Sequence, residues 1–457
     1  MPDERDSWTA ARLLPTFGIR GQEEQEKRAT SILLAVMHAV PEFGHALLHE
    51  LGAPKSPRID TYTEVRFKGA EKTAIPDGAI VCEWGQKRWT CLVEVKTAGA
   101  SLQMTQVESY LETARVHTYD GVLTISNDIT DKCDQSPLPI DGRKTKKAKL
   151  WHLSWWQIIT EAIVQYRHRG IADPDQAWIL GELIAYLDSS ASGAGGFEDM
   201  GANWVAVRRG APDRALRAND PAVRDVAMHW DQLVEYLCLG LTQDLGQRVV
   251  PQRSRKQDQR TRIDGSSKRL AVDGVIESAI RVPNAAGILT VRADLRARKT
   301  STAVRLQAPQ EGKATTRLSW LLRELPETRP DLLVSAHYPN ARQPITATLG
   351  EAREDRTKLL HPTDPKRTPR EFTVALVRPM GQGRGRGDGS FVSETRSQLL
   401  DFYRHAVQNL RPWPPKAPRL PEPPESVSDE PAPDPPPFGN DERAFGDASV
   451  PEIASSA

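Results

Sequence analysis

The stretch IPDGAIVCEWGQKRWTCLVEVKT, residues 75–97, decides how this chain is read. Two runs rich in β-formers flank Gly85-Gln86, a glycine-first pair suited to a two-residue type II′ loop, so the segment is expected to fold back as a β-hairpin. Centring the loop there sets Trp84 opposite Lys87 and Asp77 opposite Glu94. Because side chains alternate along a strand, Glu94 and Lys96 share one face while Val93 and Val95 point to the other. Three ionisable groups, Asp77, Glu94 and Lys96, therefore converge. Like charges directly opposite one another destabilise an antiparallel pair, by roughly 0.2–1 kcal/mol, and a cation between them reverses the sign. Two carboxylates plus the backbone carbonyl of Val95, with water completing the shell, suit Mg²⁺. A cation held this way acidifies water and offsets charge building on a phosphate, and a neighbouring lysine stabilises the same oxyanion. That is the chemistry of phosphodiester hydrolysis.

Working outward, residues 21–40 carry Ala29, Ile32, Leu33, Val36, Met37 and Val40 at helical spacing. A short second helix is expected over 46–51. TYTEVRF (61–67), residues 75–84 and residues 88–97 read as three successive antiparallel strands. A helix capped by Ser101 and running to about His117 follows, then strands GVLTIS (121–126) and KLWHLS (149–154), then helices from Trp155 and from Pro174. The order predicts a mixed α/β layer. The helix after Lys96 presents Gln103, Gln106 and Tyr110 on one face, where two amides and a phenol suit phosphate or base contacts.

PDGAI (76–80), EVKT (94–97) and QVESY (106–110), in that order and spacing, resemble the PD-(D/E)XK nuclease superfamily, and the Q-x-x-x-Y element is similar to its RecB-like branch. The resemblance covers about residues 10–165. It implies a restriction-endonuclease-like mixed sheet, Mg²⁺ (or Mn²⁺) on Asp77 and Glu94, Lys96 at the attacking water or phosphate, and Gln106 and Tyr110 completing the site. Such families often add a glutamate from the first helix. Here Glu23, Glu24 and Glu26 stand in GQEEQEKRAT, and Glu26, three and seven residues before Ala29 and Leu33, is the one expected to reach inward. LLPTFGIRGQEEQEKRATS (13–31) also resembles proteins that carry a "stress response" label, which implies no mechanism.

With 457 residues the chain exceeds what one core supports, so more than one is expected. Glycine and small residues in DSSASGAGGF (188–197) mark a boundary between a nuclease-like domain (1–190) and a second, α+β domain (198–410) with a substrate-recognition or clamp role. Its expected elements are a strand at NWVAVRR, a helix over 220–245, strands RLAVDGVIES, GILTVRADLRA, DLLVSAHY and REFTVALVRP, and helices over 318–325 and 393–410. Residues 411–457 hold 13 of the 35 prolines and nine acidic against four basic residues, which predicts a disordered acidic tail able to dock a protein partner. That net of −5 leaves +6 on residues 1–410, a balance compatible with a polyanionic partner, DNA first among them.

Basic clusters RKTKKAK (143–149), RSRKQDQRTR (253–262), RADLRARK (292–299) and the pair Arg384 and Arg386 fit phosphate tracking. The four cysteines show no metal-ligand spacing and read as core thiols. The charged N-terminus, with no apolar signal core, predicts a cytoplasmic protein with no membrane span. GQGRGRGDG (381–389) has neither a Walker lysine nor Rossmann spacing, which disfavours a nucleotide transferase or hydrolase. The reading is a Mg²⁺-dependent nuclease acting on DNA. Its rival is an inactive nuclease-fold scaffold that binds nucleic acid or a partner.

Overall fold

Apolar side chains at Ala29, Leu33, Val36 and Met37 lay one face of helix α1 (Gln22–Ala39) into the first core. The chain then turns by 108° into α2 (Pro41–Glu50), where Pro41 occupies the first helical turn, a position that needs no N–H partner. The computed structural model describes residue 14 and residues 21–54, 58–63, 65–67, 75–197, 199–254, 257–383 and 387–412. Arg384, Arg386 and the acidic proline-rich tail from residue 413 onward lie outside the described residues.

Strands β1 (Arg58–Thr63), β2 (Gly78–Trp84), β3 (Lys87–Val95), β4 (Gly121–Ser126) and β5 (Lys149–Ser154) form one sheet in that order. β1, β2 and β3 are antiparallel, as expected, while β3, β4 and β5 run parallel. Parallel neighbours need a crossover, and α3 (Met104–Val116) supplies the one from β3 to β4. Helices α4 (Trp155–Val164) and α5 (Pro174–Asp188) pack with α1 and α2 on one face, around Ile80, Cys91 and Val93. α3 covers the other face, around Leu92, Val107 and Val122. Covered on both sides, β4 is buried along its whole length. The α/β character of this half follows from that mixture.

The second half opens with α6 (Trp204–Gly210), α7 (Pro221–Leu245) and α8 (Gln259–Asp273). Its antiparallel sheet contains β6 (Val250–Pro251), β7 (Val275–Arg281), β8 (Ile288–Asp294), β9 (Lys299–Gln307), β10 (Leu333–His337), β11 (Ile345–Thr348) and β12 (Glu371–Pro379). Their order is β11-β10-β12-β9-β8-β7-β6. Helices α9 (Ala314–Glu324), α10 (Leu349–Glu354) and α11 (Phe391–His405) complete it. The halves meet through α4 against α7, where Gln243 Nε2 donates to Thr160 Oγ1 at 2.9 Å and Trp156 packs against both cores. The described residues all fall in one compact unit.

Four local expectations are corrected. The first strand covers 58–63 rather than 61–67: Val65 N–H donates to the Pro76 carbonyl, but Pro76 has no N–H to return, and the ladder stops. Ser101 does not cap α3, which starts at Met104 with no side-chain cap. NWVAVRR is helical, because Trp204, Val207 and Ala211 are buried at i, i+3 and i+7. RLAVDGVIES straddles a boundary: α8 ends at Gly274, in the left-handed region at φ 70°, and the strand begins only at Val275. Cys82, Cys91 and Cys238 are buried, and Cys133 is partly exposed. Among the described residues no single helix is long and apolar enough to cross a membrane.

Candidate active site

The hairpin is in the expected register. Trp84 pairs with Lys87 and Gly78 with Val93, which continues to Asp77 opposite Glu94. Gly85 has φ 59° while Gln86 is not among the positive-φ residues, in keeping with the type II′ loop. Asp77 stands one residue before β2. Its Oδ2 accepts the Val95 N–H at 2.8 Å, so the carboxylate is fixed across the hairpin by a backbone donor.

Glu94 is fully buried near the end of β3, and the Lys96 ammonium is its ion-pair partner. Lys96 Nζ stands 2.7 Å from Oε1, a largely buried ion pair. The same ammonium lies 3.3 Å from Glu26 Oε2 and donates to the Val95 carbonyl at 3.2 Å. Burial, followed by the Asp77 charge, pushes the Glu94 carboxyl up to about 7, against the downward pull of Lys96. Burial draws the Lys96 ammonium down, but the pairing with Glu94 and the charges of Glu26 and Asp77 outweigh it, and it ends above the ordinary lysine range.

Gln106 Nε2 donates to the Tyr110 hydroxyl at 3.0 Å, and that hydroxyl donates to the Ile75 carbonyl at 3.0 Å. This chain of bonds ties α3 to the segment that delivers Asp77. Burial, then the nearby Glu94 and Asp77 charges, hold the Tyr110 phenol above its ordinary range, so it stays protonated and able to donate. Gln103 does not join them. It is exposed at the start of α3 and donates to the Ser101 carbonyl, because the helix begins too late to turn it inward. Of the three candidate glutamates, Glu26 reaches Lys96, while Glu23 pairs with Lys27 on the surface.

Other partners of the site were not legible in the sequence. Trp155 Nε1 donates to the Lys96 carbonyl at 2.9 Å. Gln22 Nε2 donates to the Thr97 carbonyl at 3.2 Å, and the buried Thr97 hydroxyl to Gln25 Oε1 at 3.4 Å. The only signal for the glutamines was their place on the same helix turns as Glu26. Trp155 carried none, because its role comes from β5 lying two strands away from β3.

The basic clusters divide. Arg253 and Arg262 are drawn into a largely buried ion network with Asp131, Asp231 and Glu235, which removes them from any solvent-facing track. Arg292 faces Glu277 and Asp294, and Arg296 donates to the Ala211 and Val272 carbonyls. Arg143 and Lys144 pair with Asp141 and Glu108. Lys146, Lys147 and Lys149 remain exposed beside a cleft of about 570 Å³.

The arrangement defines a site of two carboxylates and one lysine at the end of a hairpin, backed by a glutamate and a phenol. No cluster of three His, Cys, Asp or Glu side chains of metal-binding geometry occurs among the described residues, because Lys96 separates Glu26 from the Asp77–Glu94 pair. A cation here would therefore rest on two side chains and the Val95 carbonyl. The donors fit a hard cation on one observation: they are all oxygens, and the fully buried Glu94 carboxylate faces Asp77 with a cationic group, Lys96, already drawn to within 2.7 Å. No protein-family model and no curated protein matches this chain.

Proposed function

We propose that this chain is a divalent-metal-dependent nuclease that hydrolyses phosphodiester bonds in DNA, with the first half folded in the restriction-endonuclease-like manner of the PD-(D/E)XK enzymes. The observation that carries the reading is Glu94: a fully buried carboxylate that faces a second carboxylate, Asp77, and has the Lys96 ammonium 2.7 Å away. Two facing carboxylates, one of them fully buried, carry more negative charge than a cation beside them offsets alone, and ionisable groups held in this way mark candidate functional sites.

Asp77, Glu94 and the Val95 carbonyl would hold Mg²⁺ or Mn²⁺. When bound, the cation supplies Lewis acidity toward a phosphate ester and acidifies water. Lys96 offers its ammonium to the charge developing on the phosphate, and Glu26 and Glu94 keep it protonated and aimed. Gln106 and Tyr110 fix the Ile75 carbonyl and hence the approach of Asp77. The deep burial of Glu94 excludes water from its side of the site, which strengthens each of these charge contacts.

The test is incubation of the full chain with linear, circular and single-stranded DNA and with RNA, plus Mg²⁺ or Mn²⁺, for the wild type and for Lys96→Ala and Asp77→Ala. Cleavage in the wild type, lost in both variants and in EDTA, supports the proposal; equal activity in all three defeats it. A second reading, an inactive scaffold of the same fold, has its own observation in the Lys96 ammonium, which already stands 2.7 Å from Glu94 where a cation would compete. Metal-independent, salt-sensitive binding with no cleavage selects it.

A further inference from the structure

Arg396, on α11, lies in the seam between the two halves. Its guanidinium sits 5.9 Å from the Trp156 ring centroid and 5.8 Å from that of Tyr236. Its Nε is buried and has no hydrogen-bond acceptor. No carboxylate pairs with Arg396 or with Arg404 among the described residues. Both line an open cleft of about 710 Å³ together with Phe197, Ser393 and Ser397. The one acidic side chain in its wall, Asp401, is already engaged by Arg329, Arg378 and His405, so the cleft keeps a surplus of positive charge.

A guanidinium resting against a tilted pair of aromatic rings, whose centroids stand 4.8 Å apart, is restrained in orientation and partly stripped of water, and its buried Nε has no acceptor. A planar fork of donors of this kind matches a phosphate better than any neutral group. The cleft is also tied through the chain to the end of β3. Ala98, two residues after Lys96, donates its N–H to the Gly193 carbonyl at 2.8 Å, and the chain from Gly193 continues to Phe197 in the cleft wall. Trp156 follows Trp155, the residue that holds the Lys96 carbonyl.

We propose that the Arg396–Arg404 cleft binds a backbone phosphate of a nucleic-acid strand, at a place separate from the carboxylate site. The identity of the strand rests on the nuclease reading; the anion chemistry of the cleft does not. In this role the second half holds the strand while the hairpin of the first half faces the bond to be cut.

Binding is measured in EDTA, so that no result depends on cleavage. The full chain is titrated into a fluorescently labelled single-stranded oligonucleotide across a range of salt, for the wild type, Arg396→Gln, Arg404→Gln and, as a basic control outside the cleft, Arg342→Gln. The expected result is a loss of about tenfold in affinity for each cleft variant, with the log–log salt slope falling by about one, and no change in the control. Should Arg396→Gln fail to fold because it loosens the seam, Arg404→Gln decides the matter. Affinity unchanged in a folded Arg404→Gln, or lost equally in the control, overturns the proposal. So does a melting shift with inorganic phosphate that Arg396→Gln abolishes while oligonucleotide binding stays intact, since that marks a small-anion site. Loss of cleavage in Lys96→Ala with binding preserved leaves this proposal standing and tests the nuclease reading alone.

Discussion

Glu94→Gln should make the metal-free first sheet more stable at pH 8 while abolishing cleavage. The buried Glu94 carboxyl sits at about 7 against an ordinary value of 4.5, first through burial and then through Asp77. A carboxyl whose folded value is raised binds its proton more tightly in the native state, so between about pH 4.5 and 7 stability falls as pH rises and then levels off. Each unit is worth about 1.36 kcal/mol, which puts the whole effect at roughly 3 kcal/mol. Glutamine keeps the shape and has no such titration, and Lys96 retains Glu26 at 3.3 Å.

Because the chain has two cores, a global melt mixes their transitions, and the readout is better taken as the opening free energy of β3 amides by hydrogen exchange in EDTA. Between pH 5 and pH 8 the wild type should lose about 2–3 kcal/mol more than the glutamine variant, the part of the linkage that falls in that window. Mg²⁺ at pH 8 should restore the wild type and leave the variant unmoved. If the two pH profiles run parallel in EDTA, Glu94 is not strained, and the argument for a cation loses its foundation.

Lys96→Met removes the cation beside a buried carboxylate and should destabilise β3 by about 3–5 kcal/mol at pH 8, an effect that shrinks below pH 6 as Glu94 takes a proton; hydrogen exchange of the β3 amides at pH 5 and pH 8 checks it. Tyr110→Phe deletes the bond to the Ile75 carbonyl and should cost about 1 kcal/mol of stability and weaken Mg²⁺ affinity, measured by calorimetric titration. Gly121→Ala should destabilise by about 1–3 kcal/mol or more, since a Cβ there would lie 2.5 Å from the Trp151 ring and closer still to the Lys149 carbonyl; thermal melting reads it.

The hairpin was legible because two independent signals agreed. Gly85-Gln86 fixed the loop, and with a period of two the loop alone determines which side chains meet. Strands β4 and β5 stood out as short apolar runs; α3 makes the parallel pairing of β3 with β4 legible, whereas β4 and β5 are joined by the helix-free segment 127–148, so their parallel pairing carried no such signal. The second half was less legible where polar residues fill inward positions. β9 alternates cleanly between buried and open positions, yet Thr300 and Thr302 hold two of its buried places, so it did not register as an apolar strand. NWVAVRR has valines that favour a strand, but the burial of Trp204 against Phe391, 4.4 Å between centroids, is a long-range contact that no local propensity contains. Charge was misjudged for a similar reason. Arg253 and Arg262 look like a surface cluster in sequence, and only the fold brings Asp131 from the first half to meet them.

The seam between α4 and α7 bears on how this protein can be taken apart. Ile129 belongs to the core of the second half, Trp156 lies against both, and Arg253 and Arg262 close on Asp131. Cutting the polypeptide near residue 190 would therefore uncover apolar surface on both pieces and leave the Asp131 carboxylate without its arginines. Either half expressed by itself should aggregate, and the pair is expected to be inherited, shuffled and lost as one object.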